Sequence, residues 1–119
     1  MGDTIQTKIG KIIFSKELIA NIAGIAAIEC YGLVGMASRK LKDGITEILG
    51  RDNLARGVEV NTDEGQLCID LYVIVGYGTK IPEVALNVME KVKYTIEKIT
   101  GLKVAKVNVN IQGVKGEGR

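Results

Sequence analysis

The chain contains no histidine and no tryptophan, one proline, one phenylalanine and two cysteines. Each scarcity excludes something. Without histidine, the usual neutral-pH general base and the commonest transition-metal ligand are both missing. Cys30 and Cys68 lie far apart in sequence and do not have the spacing of a structural zinc site. In a reducing compartment they read as buried small hydrophobes, not as a disulfide. A single proline leaves no room for a Pro-rich linker. With one Phe and four Tyr, the core has to be aliphatic. Charge of one sign is lacking as well. Sixteen basic against fourteen acidic residues give a formal +2, too small a bias to point to nucleic acid or an anionic membrane. No run approaches the roughly 18 apolar residues of a membrane span, and Met1 to Ile9 lacks the apolar stretch of a signal peptide. The expectation is a cytoplasmic protein that is no enzyme, with no catalytic residue, no metal and no cofactor.

What is present suits one domain. A chain of 119 residues, 46% of them hydrophobic, has the material for a single core, and at this length about two thirds of the unfolded surface is buried. The domain is assigned to residues 1–114, and the charged, Gly-containing stretch 115–119 to a flexible tail.

Residues 5–14 alternate apolar and polar, with a break near Gly10, and predict an N-terminal strand. Ser15 is a good helix N-cap, with Glu17 near the positive end of the helix. Leu18, Ile19, Ile22, Ala23, Ala26, Ala27 and Cys30 then follow at helical spacing. Gly24 inside that helix costs about 1 kcal/mol against Ala and predicts close approach of another backbone. Gly32 marks the stop. A short strand at 33–36 precedes an amphipathic helix at 38–49 with Leu41, Ile45, Ile48 and Leu49 on one side, ended by Gly50. Residues 51–57 read as a polar connection.

A hairpin follows: a strand at 58–61, a four-residue turn at 62–65 and a strand at 66–75 carrying Leu67, Ile69, Leu71, Val73 and Val75 on one face. Residues 81–100 form the clearest helix, with Pro82 in its first turn and a stripe of Val84, Ala85, Val88, Met89, Val92, Ile96 and Ile99. Gly101 ends it. A closing strand at 102–112 turns Val107, Val109 and Ile111 inward. Helices with single apolar stripes cover only one face of a sheet. The fold class is therefore α+β, a two-layer sandwich with a mixed or antiparallel sheet, two main helices on one face in β-α-β-β-α-β order, and a short middle helix.

The uncovered face then carries Glu59, Asn61, Gln66, Cys68, Asp70 and Tyr72 from the hairpin, and Lys106, Asn108, Asn110 and Gln112 from the last strand. Such a face is either simply solvated or a docking surface for another protein or another copy of the chain. Within it, Glu59, Asp70, Tyr72, Lys106, Asn108, Asn110 and Gln112 are the candidate interaction residues. A sheet that binds RNA presents stacking aromatics beside a basic field. Here only Tyr72 points outward, among acids and amides, so nucleic acid is not an expected partner.

Three other patterns stand out in the sequence. The turn Gly76, Tyr77, Gly78, Thr79 precedes the long helix and is a candidate anion-binding turn through its backbone amides. Its spacing fits neither a dinucleotide fingerprint nor a P-loop, so a plain strand-to-helix turn is the simpler account. Arg39, Lys40, Lys42, Arg51 and Arg56 interleave with Asp43, Glu47 and Asp52 and read as a solvated face, against the alternative of a membrane-touching surface. Asp70 with Glu59, and Glu29 alone, read as surface carboxylates.

Several strings, in order, carry a resemblance: GKIIFS at 10–15, IAGIAAIECYGLVGM at 22–36, DLYVIVGYG at 70–78, IPEVALNV at 81–88, TGL at 100–102 and VNVNIQGV at 107–114. Together they resemble the alkaline shock protein family of Gram-positive bacteria, also called envelope stress response proteins. KDGITEILGRDNLARG at 42–57 is similar to its stand-alone, housekeeping branch. The resemblance implies a small cytoplasmic protein without catalytic residues or cofactor, linked to cell-envelope homeostasis and alkaline or general stress. It implies homo-oligomerisation and a membrane-anchored or envelope-related protein partner, which would place the chain near the membrane without insertion. The leading reading is a scaffold or adaptor. The alternatives are a regulatory domain for a small anion or metabolite at 76–79 and, third, an RNA-associated protein.

Overall fold

The computed structural model describes residues 4–6, 13–38 and 48–116. Strands β1 (Thr4–Gln6) and β2 (Ile13–Ser15) lead into helix α1 (Lys16–Ile28) and strand β3 (Leu33–Met36). A 3-10 helix (Arg51–Gly57), strands β4 (Val58–Asp63) and β5 (Gln66–Gly76), helix α2 (Ile81–Thr100) and strand β6 (Val104–Lys115) complete the order.

β5 is the spine of the main sheet. β4 pairs antiparallel with its first half, from Asp63↔Gln66 to Val58↔Leu71. β3 pairs antiparallel with its end, from Met36↔Val73 to Leu33↔Val75. β6 runs parallel along β5, from Leu67↔Val104 to Gly76↔Lys115. A strand has two hydrogen-bonding edges, so β3 and β4 lie end to end on one edge of β5 and β6 takes the other. Leu67, Ile69, Leu71, Val73 and Val75 meet the buried sides of α1 and α2 in one aliphatic core. The architecture is the expected α+β sandwich with a mixed sheet.

Local chemistry sets the element ends. The Ser15 hydroxyl accepts the Leu18 N–H at 3.0 Å, satisfying one of the unpaired amides that open α1. Ser15→Ala is expected to cost about 1 kcal/mol, seen as a lower urea midpoint with an unchanged slope. Gly101 closes α2 in the left-handed region, with φ 75. The hairpin turn is tighter than its composition suggested. Thr62 and Asp63 belong to β4, and Glu64 and Gly65 alone make the reversal, both with positive φ (54 and 81). That geometry matches the right-handed twist of the flanking strands.

Other elements differ from the sequence expectation. The strand predicted at 5–14 contributes β1 and β2, which pair with each other in a separate two-stranded sheet. Both edges of the spine strand are already occupied, and no register with β5 is left for them. Of the helix predicted at 38–49, residues 39–47, with Leu41 and Ile45, lie outside the described residues. Its end is extended: Ile48 bridges Ala37, and the Leu49 N–H donates to the Met36 carbonyl at 2.8 Å. The short helix is instead the segment read as a polar connection, because Leu54 is buried against α1.

Gly24 behaves as expected. A Cβ there would lie 3.0 Å from Leu54 Cβ and 3.5 Å from its carbonyl atoms. Leu18 is exposed and Ala20 buried, so the packed side of α1 is lined by small residues. On α2, Met89 and Ile99 face outward, and Thr100 is buried in their place. Thr100 tolerates burial because its hydroxyl donates to the Ile96 carbonyl (2.7 Å) and accepts from the Leu102 N–H (3.0 Å). Lys115, placed in the tail by composition, is the last residue of β6, and its carbonyl accepts the Tyr77 N–H at 2.7 Å.

Candidate functional site

Because side chains alternate along a strand, the residues of β5 between the core positions stand on the side away from the helices. The pairing register aligns them with their neighbours into rows: Glu59–Asp70–Asn108, Asn61–Cys68–Lys106 and Tyr72–Asn110. The register therefore aligns Glu59, Asp70, Tyr72, Lys106, Asn108 and Asn110 across the strands, whereas Gln112 falls at the register shift between Ile111 and Gly113. Asp70 is fixed there by Asn108, whose amide donates to its carboxylate at 2.8 Å. Asn110 donates to the Leu71 carbonyl at 3.1 Å, holding its side chain against the strand. Glu59 opposite Asp70 sets two carboxylates directly across the ladder, an unfavourable pairing by itself. One row away, Lys106 supplies the opposite charge.

The face is not uniformly polar. Ile74 continues the outward series after Asp70 and Tyr72, yet only 1% of it is exposed, and it stands apart from the helix-side core. Its register partner is Gly35. A Cβ at Gly35 would meet Ile48 Cγ2 at 3.0 Å, so Ile48 lies against that position. Ile48 and Val34 are both partly open to solvent, and an apolar corner therefore ends the polar surface. Continued alternation from Gln66 carried the signal for Ile74, but an isoleucine is the residue one expects to find inside.

The turn at 76–79 is locally closed. The Thr79 hydroxyl and N–H both donate to the Gly76 carbonyl, at 2.7 and 3.3 Å. The Tyr77 N–H goes to Lys115 and the Gly76 N–H to the Gly32 carbonyl. A cleft of about 300 Å³ beside it is lined by Tyr31, Gly78, Thr79, Lys80, Glu83, Val84 and Asn87, which puts a carboxylate next to the lysine.

Neither cysteine is as buried as expected; both are half-buried. Cys30 packs at the end of α1, its thiol 3.6 Å from the Ala26 carbonyl, and burial pushes that thiol above its ordinary pKa despite the nearby Lys91. Cys68 lies on the polar sheet face. Glu29 caps α1 and pairs with Lys91 at 3.5 Å, an exposed contact of little energetic weight. Arg56 and Asp52 are exposed, whereas Arg39, Lys40, Lys42, Asp43 and Glu47 lie outside the described residues. No described helix is long and apolar enough to cross a membrane.

Fold and surface together define a small two-layer α+β protein with a mixed-charge sheet face. Residues 4–116 match the alkaline shock protein 23 family, described as having a cell envelope-related function, and the chain belongs to that family. It is 53% identical to the uncharacterized protein YloU of Bacillus subtilis over 116 residues, 97% of each chain. It is 40% identical to an uncharacterized protein of Streptococcus pyogenes over 115 residues, covering 96% of this chain and 95% of that one. A stress response regulator gls24 homolog of the same species is 23% identical over 106 residues, 89% of this chain and 59% of that protein. No solved structure matches the chain.

Proposed function

We propose that the protein is a non-enzymatic scaffold or adaptor in cell-envelope homeostasis or the alkaline and general stress response. It works in the cytoplasm, near the membrane through a partner, by associating with itself and by binding a membrane-anchored or envelope-related protein. The observation that carries this reading is the aligned polar face Glu59–Asp70–Asn108, Asn61–Cys68–Lys106 and Tyr72–Asn110. Its side chains are pre-positioned by the Asp70–Asn108 bond and the Asn110 contact to the Leu71 carbonyl, which lowers the ordering cost of docking. The family's envelope-related description and the stress-regulator name of a distant relative support the physiological setting.

The charge pattern supplies the test. Asp70→Lys combined with Lys106→Glu inverts both signs while leaving the helix-side core untouched. Cross-linked affinity purification from native cells is expected to lose the envelope partner with this variant, because like-charge juxtaposition in an interface costs several kcal/mol. A folded variant that keeps the same partner at the same yield removes this face from the reading. The regulatory-domain alternative makes the opposite demand: phosphorylated metabolites should raise the melting temperature and move the Thr79 amide resonance. Nothing in the turn favours that, since the Thr79 and Tyr77 N–H groups are already spent.

A further inference from the structure

β6 has one covered edge, against β5, and along its other edge no pairing is found among the described residues. Long bare edges are rare because they template pairing with another chain, and proteins blunt them with charge, proline or bulges. β6 is blunted only at its ends. Register shifts against β5 fall between Val104 and Lys106 and between Ile111 and Gly113. Between them runs a regular stretch that reads K-V-N-V-N-I from 106 to 111, with no charge from Val107 to Ile111.

That stretch is nearly symmetric about Val109. Turned antiparallel onto itself, it sets Val109 opposite Val109, Asn108 opposite Asn110 and Val107 opposite Ile111. Apolar residues meet apolar ones on the helix side, and amides meet amides on the polar side. The first like-charge pair, Lys103 against Lys115, comes only beyond the regular stretch. This is the self-complementarity that a two-fold interface requires. The helix side offers a seat as well. A groove of about 320 Å³ runs between α2 and β6, with Leu86, Met89 and Val107 in its wall, and Leu86 and Met89 are exposed. Pairing Val107 with Ile111 of a second copy brings that isoleucine to the mouth of the groove.

We infer that β6 is the self-association edge, and that two copies join by antiparallel β6–β6 pairing centred on Val109, continuing the sheet across a two-fold axis. The inference rests on the self-associating scaffold reading and specifies where that association occurs. The other edge suits a second copy less well. β4 is short, and its flank lies by a cleft lined with Lys16, Glu17, Arg56 and Glu59 under α1 and the 3-10 helix.

The axis dictates an unusual test, because position 108 of one copy meets position 110 of the other. Asn108→Lys with Asn110→Lys opposes like charges twice, and Asn108→Lys with Asn110→Glu opposes unlike charges twice. Sedimentation of the full chain over a concentration series should show a closed dimer for the unmodified protein. The first variant should weaken it by about tenfold, and the second should restore it. Should the first variant lose its circular-dichroism signature, cysteines replace the charges. Asn108→Cys and Asn110→Cys chains, each also carrying Cys68→Ser, should form the mixed disulfide faster than either homodisulfide, since directly opposed strand residues fall in the Cα range a disulfide needs. If the unmodified chain self-associates and neither variant changes it, or mixed and homodisulfides form equally, the β6 edge is wrong and the scaffold reading stands. Open-ended polymers from the unmodified chain overturn the two-fold pairing. A strict monomer at every concentration removes self-association itself.

Discussion

Leu71→Ala is expected to destabilise the protein by about 3–5 kcal/mol, a large share of the roughly 5–15 kcal/mol that a domain of this kind possesses. Leu71 is fully buried at the middle of β5. Its ladder neighbours are Val58 on β4 and Val109 on β6, and its side chain points into the core beneath both helices. The cost of such a truncation depends on how far the surroundings collapse into the void. Here they are held on both sides by backbone hydrogen bonds and above by packed helices, so little relaxation is available. Urea unfolding followed by circular dichroism reads the loss as a lower midpoint with an unchanged slope. Leu86→Ala, an exposed leucine on α2, is the control and should cost well under 1 kcal/mol. Equal costs would mean that β5 is not the structural spine.

The same strand shows how much was legible in the residues. Alternation over 66–75 indicated one buried side, and Leu67, Ile69, Leu71, Val73 and Val75 are all buried. The 3.6-residue period at 81–100 located α2 to the residue. The candidate face was legible for the same reason, since opposite parity on two strands of one sheet puts Asp70 and Asn108 on the same side. What a single strand's pattern does not contain is its partner. Residues 5–14 carry the pattern of a strand, but the pattern does not name a partner: β1 and β2 pair with each other and not with β5, whose two edges β3, β4 and β6 fill. Ile74 is the converse case. Its parity assigns it to the outer face, and only the pairing with Gly35 and the nearby Ile48 explains its burial there. Met89 and Ile99 fit the stripe by period, but they lie at its margin, where the width of the sheet below determines exposure. Thr100 is not legible as a core residue, because a hydroxyl satisfied by its own helix behaves as an apolar group.

Gly57 is the second position where a small change should have a large effect. It ends the 3-10 helix at the entry to β4, where the chain passes the end of β3. A Cβ at this position would lie 2.6 Å from the Ala37 carbonyl oxygen and 3.1 Å from Met36 Cβ. Neither neighbour gives way easily. The Ala37 N–H is bonded to the Tyr72 carbonyl at 2.8 Å, and Ala37 also bridges Ile48, while Met36 is fully buried. Gly57→Ala is therefore expected to cost about 2–3 kcal/mol, as overpacking against fixed backbone does. Gly50 gives the contrast within the same segment. It has φ −74 and ψ 171, which any residue adopts, and a Cβ there meets nothing within 4 Å. Gly50→Ala should leave stability unchanged or raise it by up to about 1 kcal/mol through the unfolded chain. Paired urea titrations decide the matter, and equal midpoints would show that the β3–β4 junction is looser than this contact requires. The junction also bears on the candidate face, because β4 carries Glu59 and Asn61 into their rows from Gly57 onward. A backbone forced away from Ala37 would carry those side chains out of register with Asp70 and Cys68. Gly57→Ala should then weaken partner capture even at temperatures where the variant remains folded.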